Sequence, residues 1–330
     1  MAGDSPAGSA PHRRGPGCPS SGTRSSPGTV TGCPVVHRPA RCPPVAELPL
    51  PERPRPGPRG PKRRAGRGAD LVTPALPRSG STRLLWEVAI VLGLSLGASA
   101  VYSIVSIIAR LTDVTPLADQ SATLNASQSP REWLDFTYQF LGIVFGAFAV
   151  ALVLFLLWLP GQSAFRRIGF DFTRPGRDVL AGVGLLLLIG IPGLGLYLVG
   201  RAFGFTVAVV PSPIDTFWWT IPILVLSALR AALVEEIIVV GYLFTRLREL
   251  GWSRWTIILS SATLRGSYHL YQGIGPFFGN VAMGVVFGWC YERWGRTMPL
   301  VVTHWLLDIL SFVGYPLALV WFPGLLAPAT

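Results

Sequence analysis

Apolar stretches of about 17 residues or more recur along this chain, such as FLGIVFGAFAVALVLFLLWL at 140–159. That is the length a helix needs to cross the hydrocarbon of a bilayer. In lipid every backbone N–H and C=O must be satisfied within the segment, so such runs fold as helices. Only 14% of the residues are charged, against nearly a quarter in soluble domains. The expected fold is all-α: a polytopic membrane helix bundle of seven to eight transmembrane helices, with the N-terminus inside. Helices are expected at about 84–109, 133–158, 178–200, 217–248, 254–271, 277–293 and 298–313, with a shorter apolar segment at 315–328 as an eighth helix or an interfacial hairpin. Pro222 is the expected break in the long fourth one. The polar loop 110–132 is expected to carry no core structure.

The net charge of +11 invites a nucleic-acid reading, which its distribution excludes. Residues 1–83 hold 14 Lys+Arg and 4 Asp+Glu, whereas residues 84–330 hold 14 and 13. The basicity belongs to a Pro-, Gly- and Arg-rich tail, typified by PRPGPRGPKRRAGRG at 54–68. A segment of that composition cannot bury enough apolar surface to fold. Two domains are therefore expected: a disordered basic tail at 1–83 and a transmembrane domain at 84–330. The tail lacks the basic-then-apolar layout of a secretion signal. Met1 and Met283 are far apart, and a non-AUG start near Leu71 or Val72 would leave most of the tail outside the protein. Cys18, Cys33 and Cys42 lie in the tail without a C-x-x-C, and Cys290 stands alone in an apolar segment, so neither a disulfide framework nor a zinc knuckle is indicated.

Arginine placement gives the orientation. Arg166, Arg167, Arg174 and Arg177 follow the second helix, Arg246, Arg248 and Arg254 surround the turn after the fourth, and Arg293 and Arg296 follow the sixth. Alternate loops are thus arginine-rich, as the positive-inside rule requires of a chain whose basic tail is inside. Gly93/Gly97, Gly142/Gly146 and Gly284/Gly288 have the spacing that lets helix backbones approach closely in lipid. There is no phosphate-binding loop, no H-E-x-x-H and no inverted repeat of the transporter kind.

Against this background Glu235 and Glu236 stand out, adjacent carboxylates inside AALVEEIIVVG. An ionisable group deep in a membrane helix costs at least ~2.5–3.5 kcal/mol and is a functional candidate by default. The others are Arg230, Arg265, His269, His304 and Asp308, and both histidines outside the tail are among them. At ~1.5 Å per residue, Glu235 lies about 20 Å along its helix from Arg248, His269 about 22 Å from Arg254, and His304 and Asp308 about 12 and 18 Å from Arg296. Three helices therefore put carboxylates and imidazoles in one slab, with His304 and Asp308 on one helical face. Such a set can polarise a water, the carboxylate taking its proton and an imidazole orienting it. It can also donate to a developing oxyanion or hold a divalent metal such as Zn2+. A buried polar network that pins helices and a proton or cation path are the alternatives open at this point.

The segments EEIIVVGYLF (235–244), RGSYHLYQG (265–273) and HWLLD (304–308) resemble, in order and spacing, the three motifs of the CPBP intramembrane protease family of CAAX prenyl endopeptidases and Abi-type proteins. Its pattern is E-E-x-x-x-R, F-x-x-x-H and H-x-x-x-N or D, and the resemblance covers about 178–314. It implies an endopeptidase in which Glu235 is the general base, His269 helps to hold the water, and His304 and Asp308 stabilise the oxyanion. Glu236 matches the second glutamate, usually paired with the motif arginine. It implies a membrane-associated peptide or protein substrate in the lipid bilayer. Together with the Arg-, Ala- and Gly-rich composition it implies a multi-pass protein of a bacterial plasma membrane. Two positions depart: Val240 stands where the arginine is expected, and Arg265 where the phenylalanine is. Arg265 is expected to supply the missing cation from the neighbouring helix, with Arg230 as the fallback. Without that compensation the chain would be an impaired member that binds and stabilises membrane proteins.

Overall fold

A computed structural model describes residues 78–212, 214 and 217–321. The expectations for residues 1–77 and 322–330 lie outside the described residues. The described residues open with α1 (Arg78–Gly93), ahead of the expected start at Leu84, and continue as α2 (Leu96–Leu111) after a bend of 57°. The first expected span is therefore a broken pair. Next come α3 (Glu132–Leu157), the short α4 (Ala164–Arg167) and α5 (Pro175–Ala202). Helix α6 (Thr220–Leu233) runs through a π-helical stretch, Val234–Tyr242, into α7 (Leu243–Glu249). Helices α8 (Arg254–Ser267) and α9 (Ile274–Trp294) follow. The last helix is α10 (Met298–Ile309), a second π-helical turn at Leu310–Gly314, and α11 (Tyr315–Trp321).

The all-α reading holds, and four helices are long and apolar enough to cross a membrane among the described residues. They are Glu132–Leu157, Pro175–Ala202, Ile274–Trp294 and Met298–Trp321, with α1–α2 as a fifth if the bent pair is one span. That is short of the seven to eight expected, for definite reasons. The α6–α7 helix carries Arg230, Glu235 and Glu236 within a few turns, and α8 is only 14 residues long. The segment at 315–321 continues α10 and is no separate helix over its described residues. Pro222 lies in the first turn of α6, where its missing N–H costs nothing. The irregularity of that helix falls instead at the glutamates. Loop 110–132 is more ordered than expected. Its Ser121–Thr123 (β1) pairs in parallel with Ala208–Val210 (β2), in the register Ser121 to Ala208.

The outer faces of α2, α3 and α5 expose Tyr102, Phe145, Phe148, Phe155, Leu188 and Ile191, an apolar surface far beyond what a water-soluble protein leaves open. The core is centred on the π-helical stretch, where Ile237, Ile238, Val239 and Tyr242 are fully buried, as is Phe244 just beyond it in α7. Small residues make its closest approaches. A side chain at Gly284 would meet Ala262 Cα at 2.8 Å, and one at Gly288 would meet Phe244 Cζ at 2.9 Å. Gly146 gives way to Arg230, and Gly97 closes on the carbonyl of Leu92, whereas Gly93 and Gly142 face open space. Only the third of the three spaced glycine pairs is a helix–helix contact at both positions. One end of the bundle is tied by ion pairs: Arg246 to Glu87 and Glu249 (2.8 and 2.9 Å), Arg167 to Glu249, Arg248 to Glu292, and Arg296 to Asp178 (2.6 Å).

Candidate active site

The π-helical stretch is what lets two adjacent glutamates share one cavity. An i→i+5 turn holds about 4.4 residues, so neighbouring side chains diverge by roughly 80° instead of 100°, and such turns recur at functional sites. Glu235 and Glu236 open the stretch, 7% and 0% exposed. Ser261 of α8 docks its hydroxyl on the Val239 carbonyl at 2.9 Å, tying this irregular backbone to the next helix.

The second motif arrives from α8. Ser253 caps its N-terminus by accepting from Thr256 N–H. The α-helix ends at Ser267, so His269 is not inside a helix as expected. It stands in the turn that leads into the 3-10 segment Leu270–Gln272. Two contacts hold that turn. Ser103 of α2 donates to the Tyr268 carbonyl at 2.9 Å, and Gly273, at φ +111°, lies against the backbone of Phe205–Val207. A side chain at Gly273 would be strained and would meet that backbone at 3.0 Å. The third motif rides on α10, which presents His304 and Asp308 one turn apart.

These elements converge. Arg265, 0% exposed, donates through Nη2 to Glu236 Oε1 at 2.7 Å and through Nη1 to Glu235 Oε2 at 3.3 Å. Its guanidinium also stacks over Phe287, 5.3 Å from the ring centre. His304 Nδ1 bonds to Glu236 Oε1 at 2.7 Å. Because a carboxylate only accepts, that nitrogen carries a proton, and Nε2 faces the rest of the cavity. His304 Nε2 lies 3.9 Å from Glu235 Oε2 and 3.6 Å from Asp308 Oδ2. His269 Nε2 stands 3.9 Å from the same Glu235 oxygen. Both ring nitrogens of His269 and Glu236 Oε2 are buried without a hydrogen-bond partner. All five expected site residues are thus brought together.

Arg265 joins them in the manner expected, and it reaches Glu235 as well as Glu236. Arg230 bonds to neither glutamate: its side chain lies along α3 at Gly146, within electrostatic reach of Asp308. Val240 is packed in the apolar core, 2% exposed. One member was missed. Tyr268 donates its hydroxyl to Glu235 Oε2 at 2.7 Å while 5% exposed. Its place three residues after Arg265, on the same helical face, was the available signal.

Glu235, Glu236 and His304 each offer an atom within 4.8 Å of the others, and these are zinc's usual ligand types. On those three atoms a divalent ion does not fit while Arg265 is in place. A guanidinium already bridges the two carboxylates, and His304 Nδ1 is committed to Glu236. A metal would have to displace the fully buried arginine or sit beside its charge. The same distances suit a water well. An oxygen about 2.8 Å from each of two atoms 3.9 Å apart sees them at roughly 90°, close to ordinary hydrogen-bond geometry.

Two buried glutamates, two histidines and a cation thus meet among the apolar helices. Residues 217–310 match the family model for the type II CAAX prenyl endopeptidase Rce1-like proteins. The matched segment contains all three motifs, so the resemblance read from them holds across α6 to α10. No curated protein and no solved structure matches the chain. That matched segment and the apolar helices, four of them among the described residues long and apolar enough to cross a membrane, are those of an integral, multi-pass membrane protein.

Proposed function

We propose that the chain is an intramembrane endopeptidase in which Glu235 activates a water against a peptide bond. The observation that carries this reading is that Glu235 Oε2 faces the Nε2 atoms of His269 and His304 at 3.9 Å each, one water apart. Glu235 takes a proton from that water, and His269 orients it. The resulting hydroxide attacks the carbonyl carbon of the scissile bond. The carbonyl oxygen becomes an oxyanion, which accepts a hydrogen bond from His304 Nε2–H while Glu236 holds the other ring nitrogen. For that donation His304 acts as the imidazolium, with Asp308 beside it. When the tetrahedral intermediate collapses, the C–N bond breaks and the proton held by Glu235 passes to the leaving amine. Glu236 and Arg265 set the shape of the site. No step passes through a metal.

The substrate is a peptide or membrane-protein tail that reaches the site from the bilayer. The motif-bearing helices lie within the membrane with the long apolar ones, giving the seven to eight crossings. The arginine-rich end faces the inner side of a bacterial plasma membrane. The test is cleavage of a quenched fluorescent prenylated peptide by purified protein in lipid, comparing wild type with Glu235→Ala. Turnover lost in the variant supports the reading. Equal turnover in both defeats it. Turnover only after Val240→Arg is introduced would identify an impaired family member acting by binding, the reading that Val240 itself favours.

A further inference from the structure

Arg265, in the last turn of α8, and Tyr268 and His269, in the turn that follows it, present three polar side chains to Glu235. Two of them are donors that land on the same atom. Tyr268 Oη gives its proton to Glu235 Oε2 at 2.7 Å, and Arg265 Nη1 reaches that oxygen at 3.3 Å. It is also the oxygen that faces both imidazoles. The last torsion of a glutamate is broad and roughly two-fold, so an unclamped carboxylate swings through a wide range. Here the clamp is itself fixed. The Tyr268 carbonyl is held by Ser103 of α2, its ring lies 4.9 Å from that of His269, and the Arg265 guanidinium is wedged over Phe287.

We propose that Tyr268 is a positioning residue for the hydrolytic step: together with Arg265 it fixes the last torsion of Glu235, so that Oε2 is held between the two imidazoles. This rests on Glu235 being the base. The hydroxyl does not touch the scissile bond, and removing it leaves the carboxylate in the cavity but free to turn away from the water.

The test is Tyr268→Phe, which deletes the hydroxyl and keeps the ring, assayed in lipid on the quenched prenylated peptide beside Glu235→Gln. The loss of one hydrogen bond to a charged group corresponds to a fall in kcat of roughly 10- to 100-fold, with KM held within about twofold. A residue that served only packing would lower the yield of folded protein and leave kcat per folded molecule unchanged, and that result overturns the proposal. So does a loss carried by KM alone. Full turnover in Glu235→Gln would instead defeat the reading of the base. A second readout serves whether or not this peptide is cleaved. The infrared difference between wild type and Glu235→Gln isolates the Glu235 carboxyl band, and Tyr268→Phe shifts that band. An unshifted band overturns the clamp.

Discussion

Arg265 and Glu236 link the second-motif helix to the first through a 2.7 Å charge-assisted hydrogen bond between two groups that are both 0% exposed. The family pattern would put that cation four residues after Glu236 on the same helix, where this chain has Val240. The pairing has moved from within one helix to between two. It therefore fastens α8 to the π-helical stretch as well as neutralising the carboxylates.

Breaking this pair exposes its structural weight. Arg265→Met leaves two buried carboxylates without their cation, at a cost of about 3–5 kcal/mol. Denaturation in detergent titrations should show a correspondingly less stable protein. Val240→Arg alone should also destabilise, because its position lies in the packed apolar core. The double variant Val240→Arg/Arg265→Phe restores the pattern of the family. It should be more stable than the sum of the two single effects allows, a coupling read from a double-mutant cycle.

The two glutamates should separate in their phenotypes. Glu235→Gln keeps the volume and can still accept from Tyr268, so it should fold like wild type while turnover of the fluorescent peptide drops by at least about a hundredfold. Glu236→Gln weakens bonds to both Arg265 and His304, which share its Oε1. It should lower thermal stability by about 2 kcal/mol or more as well as activity.

Glycine at 284 is required by close approach, not by backbone conformation. A side chain there meets Ala262 Cα at 2.8 Å and Arg265 Cδ at 3.3 Å, so Gly284→Ala should cost about 1–3 kcal/mol and disturb the arginine. Gly142→Ala, on the exposed face of α3 with nothing within 4 Å, should instead stabilise by about 0.5–1 kcal/mol. Parallel unfolding measurements on the two variants would separate packing from helix propensity.

Asp171, in the loop before α5, gives a pH dependence outside the membrane-spanning segments. The Thr173 hydroxyl, with the Thr173 backbone N–H and Arg296, holds its carboxyl below the usual 3.8, at about 2. A folded value below the unfolded one stabilises the protein at pH above about 4, and the benefit fades as pH falls towards about 2. The difference in unfolding temperature between wild type and Asp171→Asn should therefore be full near neutrality and shrink over that acidic window.

Much of the site could be read from spacing. Residues such as Glu235, His304 and Asp308 are expensive in lipid, and their depth along separate helices is arithmetic on a rise per residue. His269 was found by the same arithmetic although its helix stops at Ser267, because Tyr268 and His269 keep a right-handed helical backbone before the 3-10 turn. The helix boundaries were less legible. The bend between α1 and α2 follows no proline, and the two π-helical turns carry no local signature. A π turn is stabilised by what it packs against, here the α8 hydroxyl of Ser261 and the demands of the buried carboxylates, which periodicity along one strand of sequence does not record.

The sequence by itself determined the solvent, the helical class and the chemical inventory, because apolar length and the cost of burying charge act residue by residue. It also flagged that a cation had left position 240 and that another had appeared at 265. Only the tertiary structure decided that Arg265 bonds to Glu236 from the neighbouring helix, that Tyr268 shares the same oxygen of Glu235, and that Arg230 bonds to neither glutamate. Those outcomes depend on which faces of α6, α8 and α10 meet, and the meeting is set by the packing of Gly284 and Gly288 and by the widened turn at Glu235. Distances of a few ångströms between helices far apart in sequence decide the chemistry, and no spacing within a single helix encodes them.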